Sequence, residues 1–181
     1  MFSVYSIINK HNGWITVDSK VNQGTTFTFY LPAVTEAVIP PYSKESEAMR
    51  KTISGTGRIL VMDDDDLIRK ALVRLLDDLG FEIVSAADGS AALKLFKQAH
   101  SAGKPFRAAI LDFSIPGGMG GVETLERIRE VDPQVKAIVT SGYANAPIIA
   151  HYEDYGFQGR LAKPFTAAEL SKVLGEVLEE K

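Results

Sequence analysis

RILVMDDDDLIRKALVRLLDDLG, residues 58–80, places four aspartates between two different hydrophobic patterns. Ile59 to Met62 form a short unbroken apolar run, as expected of a strand buried on both faces. From Leu67 to Leu79 the apolar residues Ile68, Leu72, Leu75, Leu76 and Leu79 recur at helical spacing, and Gly80 supplies a stop. Asp65 and Asp66 stand just before or at the helix start, where negative charge favours the positive end of the helix dipole. The same unit repeats downstream. Strands are expected at 81–85, 108–111, 135–139 and 159–162, and helices at 91–99, 122–131, 148–155 and 167–179. Five strand–helix units in succession predict an α/β fold, a doubly wound five-stranded parallel sheet with helices on both faces.

Upstream the pattern changes twice. Residues 34–57 contain Pro40-Pro41, many small polar and charged residues and a Gly55-Thr56-Gly57 end, and are expected to be a linker. Within it, SKESEAMRK has the composition for a helical turn or two. Residues 1–33 form a separate apolar segment. A short amphipathic helix (Val4, Ile7, Ile8) precedes two alternating stretches, Ile15/Val17 and Phe27/Phe29, which predict a β-hairpin. The expected organisation is therefore 1–33, a linker over 34–57, and the α/β domain over 58–181.

Composition removes several classes of function. The chain of 181 residues is 45% hydrophobic and 24% charged, the balance of a globular protein. It has no cysteine, which excludes disulfides, thiolate metal sites and thiol nucleophiles, and its three histidines are far apart in sequence. A net charge of −3 gives no footing for nucleic acid. No apolar run approaches the ~18 residues that span a bilayer, and no signal-peptide pattern opens the chain, so no membrane contact and a cytoplasmic location are expected.

In a doubly wound sheet, function collects where strand order reverses, at the carboxyl ends of the strands. Asp63 and Asp64 follow the first predicted strand, Asp112 the third, Thr140 and Ser141 the fourth, and Lys163-Pro164 the fifth. Each has an ordinary explanation taken alone: a helix cap, a turn former, a solvated lysine. Together they place carboxylates, a hydroxyl and an ammonium on one rim. Hard oxygen ligands of this kind suit Mg²⁺. Crowded carboxylates repel unless cations compensate them, and Mg²⁺ with Lys163 would do so. An ionised Asp112 is then a usable nucleophile towards a phosphoryl group. Metal, lysine and hydroxyl are the groups that stabilise the charge developing in such a transfer.

With these motifs in view, residues 58–180 resemble the receiver domain of two-component response regulators. The motifs are RILVMDDDDLIR, AAILDFSIPGGMGG, AIVTSGYA and GRLAKPF, in the family's order. The resemblance implies a flavodoxin-like fold and a phosphorelay phosphoacceptor that takes a phosphoryl group from the phosphohistidine of a histidine kinase. It implies that Asp112 is the phosphoacceptor, that Asp64, Asp112 and the backbone carbonyl of Ser114 hold Mg²⁺, and that Asp63 acts through a metal-bound water. Lys163 matches the lysine that pairs with the phosphoryl group, and its bond to Pro164 is often cis in that family. Counting back from Lys163 favours Ser141 as the switch hydroxyl, with Thr140 the alternate. Ser114 and Tyr143 match positions that tune acyl-phosphate lifetime. Two departures stand out. Arg160 occupies the place where many receivers carry a rotating aromatic ring, which puts that output mechanism in doubt. The IPGGMGG loop is one residue longer than the common form, as in receivers fused to hybrid sensor kinases.

The N-terminal segment resembles the last part of a histidine-kinase ATPase domain, through its amphipathic helix, HNGWITVDS and GTTFTFYLP. The glycine-rich and aspartate-bearing nucleotide boxes of that family are not in this sequence, and no histidine lies in a kinase phosphoacceptor motif. The expectation is a fragment of a hybrid sensor histidine kinase whose working part is the receiver, which would catalyse its own phosphorylation and dephosphorylation. Its donor would be a histidine kinase or its own kinase core, with a histidine phosphotransfer protein as a further candidate partner. The uncovered apolar hairpin raises self-association through residues 1–33 as an expectation. The rivals are an ATP-dependent kinase, disfavoured by the missing boxes, and an aspartate-nucleophile phosphatase, disfavoured because Ser114 stands where a second aspartate is needed. A third is a non-phosphorylated interaction module, which Arg160 keeps open.

Overall fold

The computed structural model describes residues 2–33, 55–142 and 147–178. The chain divides into two compact units, Met1–Ser43 and Lys44–Lys181. The SKESEAMRK stretch and Tyr143 lie outside the described residues.

The first unit is helix α1 (Phe2–Lys10) and an antiparallel hairpin of β1 (Trp14–Lys20) and β2 (Gly24–Tyr30). The register pairs Ile15 with Phe29 and Val17 with Phe27, so these four alternating residues share one face, as their spacing predicts. With Val4 and Tyr5 they line an open apolar depression. Of the helix residues expected to turn inward, only Ile8 is buried, while Val4 and Ile7 are each 53% exposed. Two strands are too narrow to cover the apolar stripe of a helix.

The second unit contains β3 (Arg58–Met62), α2 (Asp66–Asp78), β4 (Glu82–Ala86), α3 (Gly89–Ser101) and β5 (Phe106–Asp112). These are followed by α4 (Gly121–Arg129), β6 (Lys136–Ser141), α5 (Pro147–Ala150), a 3₁₀ turn (Tyr152–Tyr155), β7 (Gly159–Ala162) and α6 (Ala167–Leu178). The five strands are parallel, in the order β4-β3-β5-β6-β7. The chain goes from β3 to β4 on one side and returns to β5 on the other, so strand order reverses between β3 and β5. Gly55 already packs against this unit, with its N–H bonded to the Leu79 carbonyl at 2.9 Å. No helix among the described residues is long and apolar enough to cross a membrane.

Strand alternation divides the core in two. Ile59, Val61, Ala108, Ile110, Ile138 and Leu161 face α2 and α6, packing on Leu72, Leu76, Leu170 and Leu174. Leu60, Met62, Ala109, Leu111, Ala137 and Val139 face the other way, onto Phe96, Leu125, Ile128 and Ile148. Burial on both faces is why these strands read as unbroken apolar runs. Gly121 opens α4 close under the end of β5; a Cβ there would lie 2.7 Å from the Asp112 carbonyl oxygen.

One element departs from its sequence pattern. The expected helix over 148–155 is a four-residue α5 followed by a 3₁₀ turn, with His151 between them at φ −125° and ψ 36°. The carbonyl of Ile149, which a continued helix would use, accepts instead from the Arg160 guanidinium. A tertiary hydrogen bond has replaced a local one.

Leu76 is fully buried between α2 and the sheet. Leu76→Ala should destabilise this unit by about 2–5 kcal/mol. Urea unfolding would show this as a lower midpoint at unchanged slope.

Candidate functional site

The four aspartates after β3 do four different things. Asp63 is fully buried; its Oδ1 accepts the Asp65 N–H at 3.0 Å and its Oδ2 meets Lys163 Nζ at 2.6 Å. Asp64 is exposed. Asp65 is the N-cap of α2, its Oδ1 accepting the N–H groups of Leu67 (2.8 Å) and Ile68 (3.3 Å). Asp66 is the first helical residue and pairs with Arg69 (2.7 Å) and Lys70 (2.5 Å) one turn on.

Asp112 ends β5 and is 6% exposed. Its Oδ2 lies 2.7 Å from Lys163 Nζ, so one ammonium bridges Asp63 and Asp112. Burial pushes the Asp112 carboxyl above its ordinary pKa. Lys163 and the Ser114 N–H oppose that rise, and the negative charge of Asp63 adds to it. Burial on its own would lower the Lys163 ammonium, but its bonds to Asp112 and Asp63 outweigh that and raise it. The two shifts are compatible because Asp112 is desolvated next to a second carboxylate, whereas Lys163 has two anionic partners. One ligand oxygen each from Asp63, Asp64 and Asp112 lie within 4.8 Å of one another, a spacing and donor type that fit a small hard cation.

Thr140 and Ser141 are both buried and belong to β6, rather than following it. Thr140 is in register with Asp112 and Leu161. Its Oγ1 is buried without a hydrogen-bond partner. Ser141 stands one step further along the strand, and its carbonyl accepts the Lys163 N–H at 2.8 Å. Ser114 is exposed, with its N–H turned to the Asp112 carboxylate. The Lys163-Pro164 bond is cis. The structure thus brings Asp63, Asp64, Asp112 and Lys163 together, with both hydroxyls at the adjoining strand end.

Sequence reasoning passed over Arg69. Its guanidinium donates to the Asp63 carbonyl and to Asp66 Oδ1, both at 2.7 Å, and so holds the turn that carries the acidic pair. The signal was the i, i+3 spacing from Asp66.

Comparison with known proteins adds the family context. Residues 59–175 match the family model of the response regulator receiver domain. The sensor kinase CckA of Brucella abortus is 32% identical over 98% of this chain, which spans only 19% of that protein's length. The chemotaxis protein CheY-3 of Vibrio cholerae is 31% identical over 72% of this chain and 98% of its own. Among solved structures, the response regulator TrrA of Thermotoga maritima in complex with Mg²⁺–BeF is 30% identical. It covers 67% of this chain and 99% of its own, with a TM-score of 0.58.

The raised Asp112 carboxyl makes its ionisation costly to the fold. The stability its protonated form contributes is fully present below the ordinary carboxylate range and is lost as pH rises through the raised folded value. Lys163 contributes over the acidic and neutral range and loses that contribution only when pH rises past its own raised value. Without added metal at pH 7, Asp112→Asn should therefore raise the melting temperature by about 2–5 °C, the size of a ~1 kcal/mol effect in a domain of this length. The advantage should shrink towards pH 4. A variant that melts lower than wild type at pH 7 would contradict this account of the site.

Proposed function

Because this chain belongs to the response regulator receiver family, we propose that Asp112 accepts a phosphoryl group from the phosphohistidine of a histidine kinase. The observation that carries this is the bridging of buried Asp112 and Asp63 by Lys163, beside the exposed Asp64. In the transfer a carboxylate oxygen of Asp112 forms the O–P bond while the N–P bond breaks. The electron pair stays on the departing imidazole nitrogen, which then takes a proton from water. Lys163 is freed to follow the charge from the carboxylate to the phosphoryl oxygens.

Asp64, Asp112 and the Ser114 carbonyl are the proposed Mg²⁺ ligands, with Asp63 acting through a bound water. A metal there would neutralise charge on the phosphoryl oxygens. Ser141 is the proposed hydroxyl partner of the phosphoryl group and Thr140 the alternate. Thr140 is level with Asp112, whereas Ser141 lies one residue closer to the rim, where a group added to the carboxylate would project. Ser114 is proposed to set how readily water reaches the acyl phosphate.

Both units lie within the stretch matched by sensor kinases. We infer that residues 1–33 are the end of a kinase ATPase domain and that the receiver over 58–181 serves a hybrid kinase, with its own kinase core or another kinase as donor and a histidine phosphotransfer protein as onward acceptor. A receiver that works without phosphorylation is the second possibility, favoured only by Arg160.

Intact mass after incubation with acetyl phosphate tests the proposal. A gain of one phosphoryl group is expected that needs Mg²⁺, is absent in Asp112→Asn and is strongly reduced in Asp64→Asn. A folded wild-type protein that gains no mass would favour the non-phosphorylated module. The apolar face of the first unit supports self-association of this chain in isolation, with Val17, Phe27 and Phe29 each about half exposed or more. Light scattering should give a mass above the monomer that falls in Phe27→Ser/Phe29→Ser, and a monomeric wild type would remove the idea.

A further inference from the structure

The segment 147–157 is built to end as one helix, yet it is broken in the middle. At its end Gly156 is left-handed, with φ 84°. The Gly156 N–H bonds the Glu153 carbonyl at 2.8 Å and the Phe157 N–H bonds the Tyr152 carbonyl at 3.1 Å. Those two bonds around a left-handed glycine terminate an α-helix. The Gly156 carbonyl is also pinned, by Arg129 at 2.5 Å and by the Gln158 side chain at 2.9 Å. The apolar spacing of Ile148, Ile149 and Tyr152 fits a helix that would run into this terminator. Instead α5 stops at Ala150 and the backbone leaves helical geometry at His151.

Arg160 stands at the break. A guanidinium N–H donates to the Ile149 carbonyl, and the guanidinium carbon lies 5.4 Å from the centroid of the Tyr152 ring. In an unbroken α-helix the carbonyl of residue 149 accepts the N–H of residue 153. Arg160 therefore occupies the acceptor that Glu153 would use, and its flat cation covers the next ring along. Arg160 is paired in register with Val139, and Ser141, two residues on, faces the same side of the sheet.

We propose that Arg160 sets the length of α5. Bound to Ile149 it holds the broken form; released, residues 147–155 close into one helix. Arg160 touches none of the reacting groups and acts as a positioning residue.

Backbone NMR on the full chain distinguishes these forms, using wild type, Arg160→Ala and Arg160→Lys. In Arg160→Ala without phosphoryl donor, the Cα shifts of residues 151–154 should move to helical values. The Glu153 amide should exchange about tenfold more slowly, the scale on which a local opening responds to one net hydrogen bond. Arg160→Lys keeps a donor for the Ile149 carbonyl and should resemble wild type. Unchanged shifts in Arg160→Ala, or faster exchange across 148–157, would overturn the assignment.

Discussion

The ammonium of Lys163, held 2.6 Å from Asp63 and 2.7 Å from Asp112, is the contact on which the site depends. Without it two buried carboxylates would face each other with no cation between them, and one would have to keep its proton. The sheet order explains why a lysine does this. Asp63 follows β3 and Asp112 ends the adjacent β5, but Lys163 follows β7, with β6 intervening. Two strand spacings amount to roughly 10 Å, a gap that only a long side chain crosses. Short strand β7 is thus tied to the middle of the sheet by charge as well as by its ladder to β6. The same contact sets Lys163 beside the three carboxylates whose oxygens lie within 4.8 Å of one another.

The parts of this structure that burial dictates were legible in the sequence. Strands buried on both faces read as apolar runs, and the helices that cover them carry a stripe at helical spacing, so the order of elements and the rim residues followed directly. Asp112 and Lys163 could be singled out because a charge at the end of such a run needs a reason. What could not be read depends on contacts between distant residues. Beside the break at His151 the Ile149 carbonyl is taken by Arg160 from another element, and nothing local in IIAHYEDY announces that contact. Arg160 looked like a departure from a pattern; its partners appear only once β7 lies beside β6. Thr140 and Ser141 are neighbours in sequence, and counting cannot say which face of β6 each takes.

The four aspartates show how one composition signal separates into different physical roles. A run of four acids suggests a single negative patch. The geometry removes two of them from it: Asp65 is used by the N–H groups of α2, and Asp66 by Arg69 and Lys70. Arg69 also bonds the Asp63 carbonyl, so the helix that Asp65 starts supports the backbone that presents Asp63 and Asp64. The acidic pair is fixed by the helix next to it, and capping and site geometry are the same few bonds seen from two sides.

Strand alternation also separates the residues around the site into two rows. Asp112, Thr140 and Lys163 continue the rows of residues that face α2 and α6, while Ser141 and Arg160 continue the rows that face α3 to α5. A group added to Asp112 would be anchored on the first side. Ser141 stands at the rim where the two rows meet, one step past Thr140 and bonded through its carbonyl to the backbone of Lys163. A hydroxyl at that position would meet a charge added to Asp112 without burying a charge of its own, which would make it a low-cost link between the row that carries the acidic site and the row that carries Arg160.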